Sequence, residues 1–173
     1  GYPIEQIAEK SNFTEVMYLL LHGELPKKDE FAKFERGIKK YNFVADEMKK
    51  ILDVFPRSAH PMGVLSSLTS ALTAFNPKAV NVNSKEEMDH AAEMLLAKFS
   101  HLCAWTYRKK LGLPINHGDN SLNYVENFYK MCFRRPNEEF QLDPIVVGAL
   151  DKLLILHADH EQNCSTSTVR MVG

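Results

Sequence analysis

Apolar residues recur at helical spacing along almost the whole chain, and each run is fenced by residues that start or stop helices. In HPMGVLSSLTSALTAFNP, residues 60–77, Leu65, Leu68, Leu72 and Phe75 form an i, i+3, i+7, i+10 stripe. His60 stands where an N-cap belongs, Pro61 suits the first helical turn, and Asn76-Pro77 stops the run. Asn12 with Glu15, and Ser84 with Glu87, have capping-box spacing. The first pair opens FTEVMYLLLHG, which ends on Gly23. The second opens a helix predicted over about 85–110, with Met88, Ala91, Leu95, Phe99, Leu102 and Thr106 inward and Gly112 and Pro114 at its end.

The same reasoning predicts the other elements. Asp29 caps a helix to about Lys40, with Phe31, Phe34 and Ile38 on one face. Phe43, Val44, Met48, Ile51, Leu52 and Phe55 keep helical spacing up to Pro56. A helix over about 121–133 turns Tyr124, Phe128 and Met131 or Cys132 inward, and Asp143-Pro144 opens another that reaches about His157. INHGDNS, residues 115–121, reads as a loop. No alternating run or hairpin dipeptide marks a strand, and no internal repeat is visible. The expected class is all-α and multi-helical with short connections.

Composition narrows the function. A chain of 173 residues with 45% apolar content can bury the core of one domain, or of part of a larger one. Its 21 basic and 22 acidic residues leave no basic field to hold nucleic acid. No apolar run reaches membrane-spanning length. Cys103, Cys132 and Cys164 are odd in number, widely spaced and without a CxxC pair, which points to a reducing compartment and away from a cysteine zinc site. GYPIEQIAEK has no initiator Met and no signal-peptide pattern, so the sequence reads as an internal piece.

The most reactive-looking stretch is LLILHADHEQNCSTSTVRMVG, residues 153–173. His157 can complete the apolar stripe of Val147, Leu150 and Leu154 as a core histidine, with His160 as a cation at the helix end. Two histidines three apart can also share a metal ion, but HADHE is neither HExxH nor HxxEH and falls short of a ligand set. A third reading is a small carboxylate, held by the imidazoles, Asn163 and the Ser/Thr-rich helix start at 165–168. Separately, Gly63, Ser66, Ser67, Ser70, Ala71 and Ala74 make the 61–75 helix unusually slim. It suits either a central core position or a symmetric contact with its own copy.

Three segments in this order, GYPIEQIAEKSNFTEVMYLLLHGELP, AHPMGVLSSLTSALTAFNP and LDKLLILHADHEQNCSTSTVRMVG, resemble citrate synthases, in wording nearest the bacterial longer-chain type. The resemblance runs from Gly1 to Gly173. It implies an almost wholly helical protein of large and small domains, working as dimers or hexamers of dimers in the cytoplasm. On that reading residues 1–173 are a partial large domain, and residues 61–75 help build the homodimer. The implied reaction joins acetyl-CoA to oxaloacetate, giving citrate and CoA, with no cofactor beyond the CoA substrate and no metal. His160 matches the histidine that hydrogen-bonds oxaloacetate, and His157 and Asn163 support it. The main acid–base residues are expected beyond residue 173, so this chain alone is expected to be inactive. A 2-methylcitrate synthase acting on propionyl-CoA, and a non-catalytic helical interaction module, are the alternatives. The resemblance weakens at one place: NADH-inhibited members carry Arg-His-Thr where this chain has Lys40-Tyr41-Asn42.

Overall fold

The computed structural model describes residues 1–77, 83–159 and 164–172. Among these, the regular structure is helical: α1 (Ile4–Lys10), α2 (Phe13–His22), α3 (Lys28–Lys40), α4 (Asp46–Asp53), α5 (Pro61–Phe75), α6 (Lys85–Leu111), α7 (Tyr124–Phe133), α8 (Pro144–Ala158) and α9 (Cys164–Val172). The all-α expectation holds. The helices fall into two compact units, Gly1–Phe31 with Asp143–Gly173, and Ala32–Leu142, the division falling within α3.

Local chemistry explains the ends. Asn12 and Glu15 exchange both capping-box bonds at 3.0 Å, and Gly23 closes α2 at φ 84°. His60 Nδ1 accepts the Met62 N–H at 3.2 Å, ahead of Pro61 at the first helical position. Asp143 Oδ1 accepts from Ile145 at 2.9 Å and from Val146 at 3.3 Å. Gly112 ends α6 at φ 71°. Two details differ from the sequence reading. Asp29 lies inside the first turn of α3, where a carboxylate suits the positive helix end, and is not its cap. α7 starts at Tyr124, because Asn123 and Glu126 form a capping box of their own.

In the first unit, α8 packs on α1 and α2. Ile7, Val16 and Ile155 are the buried centre, and Asp151 Oδ1 accepts the Phe13 N–H at 3.0 Å, fixing α2's start on α8. In the second unit, α6 packs against α4, α5 and α7. Val44, Met48, Leu52, Val64, Leu65, Leu68, Leu72, Leu102 and Trp105 form its main core, with Ala104, Met131 and Cys132 on the α7 side. The inward face of α6 differs in part from the expected one. Leu102 and Thr106 are buried as expected, Met88, Leu95 and Phe99 are exposed, and Met94, Ala97, His101, Ala104, Trp105 and Arg108 are buried as well. Apolar residues occur all round this helix, so their period does not select a face. On the face that wins, Arg108 reaches carbonyls of the connector and of α7, and His101 Nδ1 reaches Ala97 O. Phe43 and Phe75 are also exposed.

Arg108 is 0% exposed and has no carboxylate partner among the described residues. Its Nε donates to Pro114 O, and its Nη1 donates to Cys132 O at 3.0 Å and Arg134 O at 2.8 Å. The last two are carbonyls at the C-terminal end of α7, where the helix dipole favours a cation. Asn116 Nδ2 reinforces the same end, donating to Met131 O at 3.1 Å and Arg134 O at 3.0 Å. Replacing Arg108 by Met keeps the stem but strips the carbonyls of Pro114 and Cys132 of this donor. The expected loss is roughly 2–5 kcal/mol, at about 1–3 kcal/mol per orphaned buried group. Urea unfolding checks it, and a loss under about 1 kcal/mol would remove Arg108 from this role.

Candidate functional site

α8 runs apolar from Pro144 to Ala158 and delivers His157 at its last turn, with Asp159 as the extended C-cap. α9 begins five residues later at Cys164. The candidate polar stretch thus lies in sequence between two helices, after the C-terminal end of one and before the N-terminal, partly positive end of the other. His160 and Asn163 lie outside the described residues. His157 and Asp159 are within them.

His157 is exposed, so its reading as a core histidine is corrected. The buried side of α8 runs through Val147, Asp151, Leu154, Ile155 and Ala158. At 3.6 residues per turn His157 lies roughly a quarter turn away from that stripe. Its Nδ1 is 2.7 Å from Leu153 O. A carbonyl only accepts, so Nδ1 carries the proton and Nε2 presents a lone pair outward. The ring orientation is thus fixed by its own helix, and Nε2 is the atom offered to a ligand or neighbour. No group of three or more His, Cys, Asp or Glu gathers around a possible metal position among the described residues.

Elsewhere the second unit holds polar chemistry that sequence reasoning passed over. The connector 112–123, read only as a loop, is bound on both sides. Trp105 Nε1 donates to Asn116 O at 2.9 Å, and Asp119 N donates to Asn127 Oδ1 at 2.8 Å. Asp119 pairs with Lys130 at 2.5 Å and accepts from Ser121, which holds its carboxyl well below the usual range. Asn42 donates to Asn120 Oδ1 at 2.7 Å and accepts from Asn127 at 3.2 Å. The legible signal was the seven-residue spacing of His101 and Arg108, two polar residues on one side of a packed helix. Burial pushes Cys103 up to about 11 and Cys132 up to about 12, so neither is a thiolate nucleophile near neutrality.

A cavity of about 350 Å³ lies in the second unit, lined by Tyr41, Pro77, Glu87, His90 and Met94 among others. Of its described lining residues only His90 can carry positive charge. That is poor chemistry for a phosphate clamp.

The comparisons with known proteins agree on one family. The family model for the citrate synthase C-terminal domain matches residues 1–173. Citrate synthase 1 of Mycobacterium tuberculosis is 50% identical over 173 residues, which is 100% of this chain and 40% of that protein. The crystal structure of citrate synthase from Pyrobaculum aerophilum superposes with a TM-score of 0.79 at 33% identity, covering 93% of this chain and 41% of the other. The Thermoplasma acidophilum enzyme, solved in ternary complex with carboxymethyl coenzyme A and oxaloacetate, gives a TM-score of 0.85 at 24% identity over 96% of this chain and 42% of its own. At that identity it speaks for the fold alone. The chain therefore spans about 40% of the length of the curated relative quoted. With the family match running from the first residue to the last, and the helical architecture shared with solved members, this chain belongs to the citrate synthase family.

Proposed function

We propose that this chain is a large-domain portion of an enzyme that condenses acetyl-CoA with oxaloacetate, releasing citrate and CoA, in the cytoplasm. The observation that carries the reading is 50% identity, over all 173 residues, to a protein named citrate synthase 1. The chemistry needs a base to take a proton from the thioester methyl, a donor to stabilise the enolate, and clamps that hold a dianionic ketoacid in line for attack. The stretch between α8 and α9 would supply part of one clamp. His160 would donate to oxaloacetate, Asn163 would flank it, and His157, oriented through Leu153 O, would buttress the turn. The N-terminus of α9, which follows Asn163 in sequence, would add partial positive charge. The base and enolate donor would come from the length that relatives have beyond this stretch.

The proposal includes a homodimer through residues 61–75. Val64, Leu65, Leu68 and Leu72 are buried in the subunit, which leaves Gly63, Ser66, Ser67, Ser70 and Ala74 exposed on the opposite side of α5. Ser67 and Thr73 return their hydroxyls to Gly63 O at 2.9 Å and Ser70 O at 2.8 Å. Such hydroxyls can be covered without losing a bond. A slim face of this kind supports close helix–helix approach in a symmetric contact.

Three outcomes follow. The 173-residue chain should release no CoA from acetyl-CoA with oxaloacetate. Turnover that persists after removal of any contaminating longer enzyme would overturn the division of labour proposed here. In an enzyme carrying the complete site, His160→Ala should weaken oxaloacetate ten- to a hundredfold, the worth of about 1.5–3 kcal/mol for a hydrogen bond to a charged group. Acetyl-CoA affinity should change little, and oxaloacetate binding within twofold of wild type would refute the assignment. For assembly, Gly63→Ala meets nothing within 4 Å inside its own subunit. It should leave the subunit as stable as before or more so. Ser70→Trp should shift sedimentation toward monomer while circular dichroism stays helical. A dimer indifferent to both changes would place the interface elsewhere.

A further inference from the structure

Three segments of the second unit close around His101 of α6: the turn after α3, the connector 112–123, and α7 through Asn127. The His101 ring is 1% exposed. Its Nδ1 lies 2.9 Å from Ala97 O, so that nitrogen carries the proton and Nε2 is a bare lone pair. Nε2 has no hydrogen-bond partner. It faces Gly118: a Cβ built there would sit 2.6 Å from Nε2 and 2.8 Å from Asn42 Nδ2. The connector therefore closes over the ring at a glycine, where a Cβ would crowd Nε2. Asn42 Oδ1 accepts from Asn127, and its Nδ2 gives one of its two hydrogens to Asn120.

We propose that His101 is an acid-sensitive latch: neutral, it lets residues 115–121 close over α6, and protonated, it releases them. A second proton would place an imidazolium among groups that cannot compensate it. On α6 itself Lys98 stands one turn away, and in the connector His117 is adjacent to Gly118; both oppose a charge on His101. The connector's acid, Asp119, is occupied by Lys130 of α7 and by Ser121. Of α7's remaining ionisable groups, Glu126 is committed to the Asn123 cap, and Tyr124 gives its hydroxyl to Leu96 O at 2.9 Å. The turn after α3 offers only Tyr41. Burial accordingly holds the imidazole below its ordinary value of 6.5. The sign follows: closure is fully favoured above the free-histidine value, and is lost progressively as pH falls from about 6.5 toward the depressed value of the closed state.

The test is amide hydrogen exchange of residues 113–121 from pH 8 to pH 5, corrected for intrinsic rates and referred to α7. Connector opening should rise by up to tenfold per pH unit below about 6.5. Emission of Trp105, the chain's one tryptophan, should follow, because its indole N–H is bonded to Asn116 O. His117 stacks edge-on against Trp105 at 5.9 Å and could act as the sensor instead, so His117→Gln is the necessary control. His101→Leu should flatten the profile, and His117→Gln should leave the exchange profile in place. A flat wild-type profile, a His101→Leu chain that keeps it, or a His117→Gln chain that loses it would each overturn the latch. If His101→Leu does not fold, imidazole NMR of the unmodified chain decides: the latch requires the Nδ1–H tautomer and titration below 6.5, and titration at or above 6.5 refutes it.

Discussion

Arg108 carries a positive charge into a site with no exposure and, among the described residues, no carboxylate partner. A buried cation of this kind is tolerated only where other partial negative charges are fixed around it. Here they are carbonyl groups that have no partner within their own helix. The last carbonyls of α7 need donors, the Pro114 carbonyl of the connector needs one, and a single planar guanidinium meets both needs. The position of α7 on α6, and the path of the chain between them, follow from that one side chain. The Trp105 and Asn116 bonds then fasten the connector that Arg108 has brought into place.

The sequence disclosed helix ends better than helix faces, for a physical reason. An end is a local event: Asn12 with Glu15, His60 with Pro61, Asp143 with Pro144, and Gly112 each act within one turn, and all stand as expected. Where a local signal went unread, at Asn123 and Glu126, the element boundary slipped with it. α1 was missed altogether, since it has seven residues and no side-chain cap. A face is a tertiary event. On α5 the apolar residues fall on one side, and Leu65, Leu68 and Leu72 are buried as their spacing requires, with Phe75 beyond the packed portion. On α6 they fall on every side, so the choice passed to polar residues whose partners lie far away in sequence.

The candidate site was legible as a motif and less so as geometry. HADHEQN carried the resemblance to the family, and its described residues, His157 to Asp159, close α8. The role of His157 was not legible from spacing alone. Its three-residue offset from Leu154 is compatible with the stripe, but its neighbour Ile155 takes the buried position and turns the histidine outward. An i−4 carbonyl then sets the tautomer, a detail that no residue pattern encodes.

α8 shows why placing such a corner is demanding. A helix apolar on more than one side has no preferred rotation from hydrophobicity alone. Ile155 and its neighbours face α1 and α2, while Ile145, Leu153 and Leu156 are exposed on other sides. What selects between these faces is polar and directional: Asp151 Oδ1 holds the Phe13 N–H, at the very turn that the Asn12 cap has already shaped. Burial raises the cost of ionising Asp151, and the Phe13 N–H offsets part of it. One hydrogen bond from a helix start thereby fixes the rotation of α8, and with it the direction in which His157 is presented.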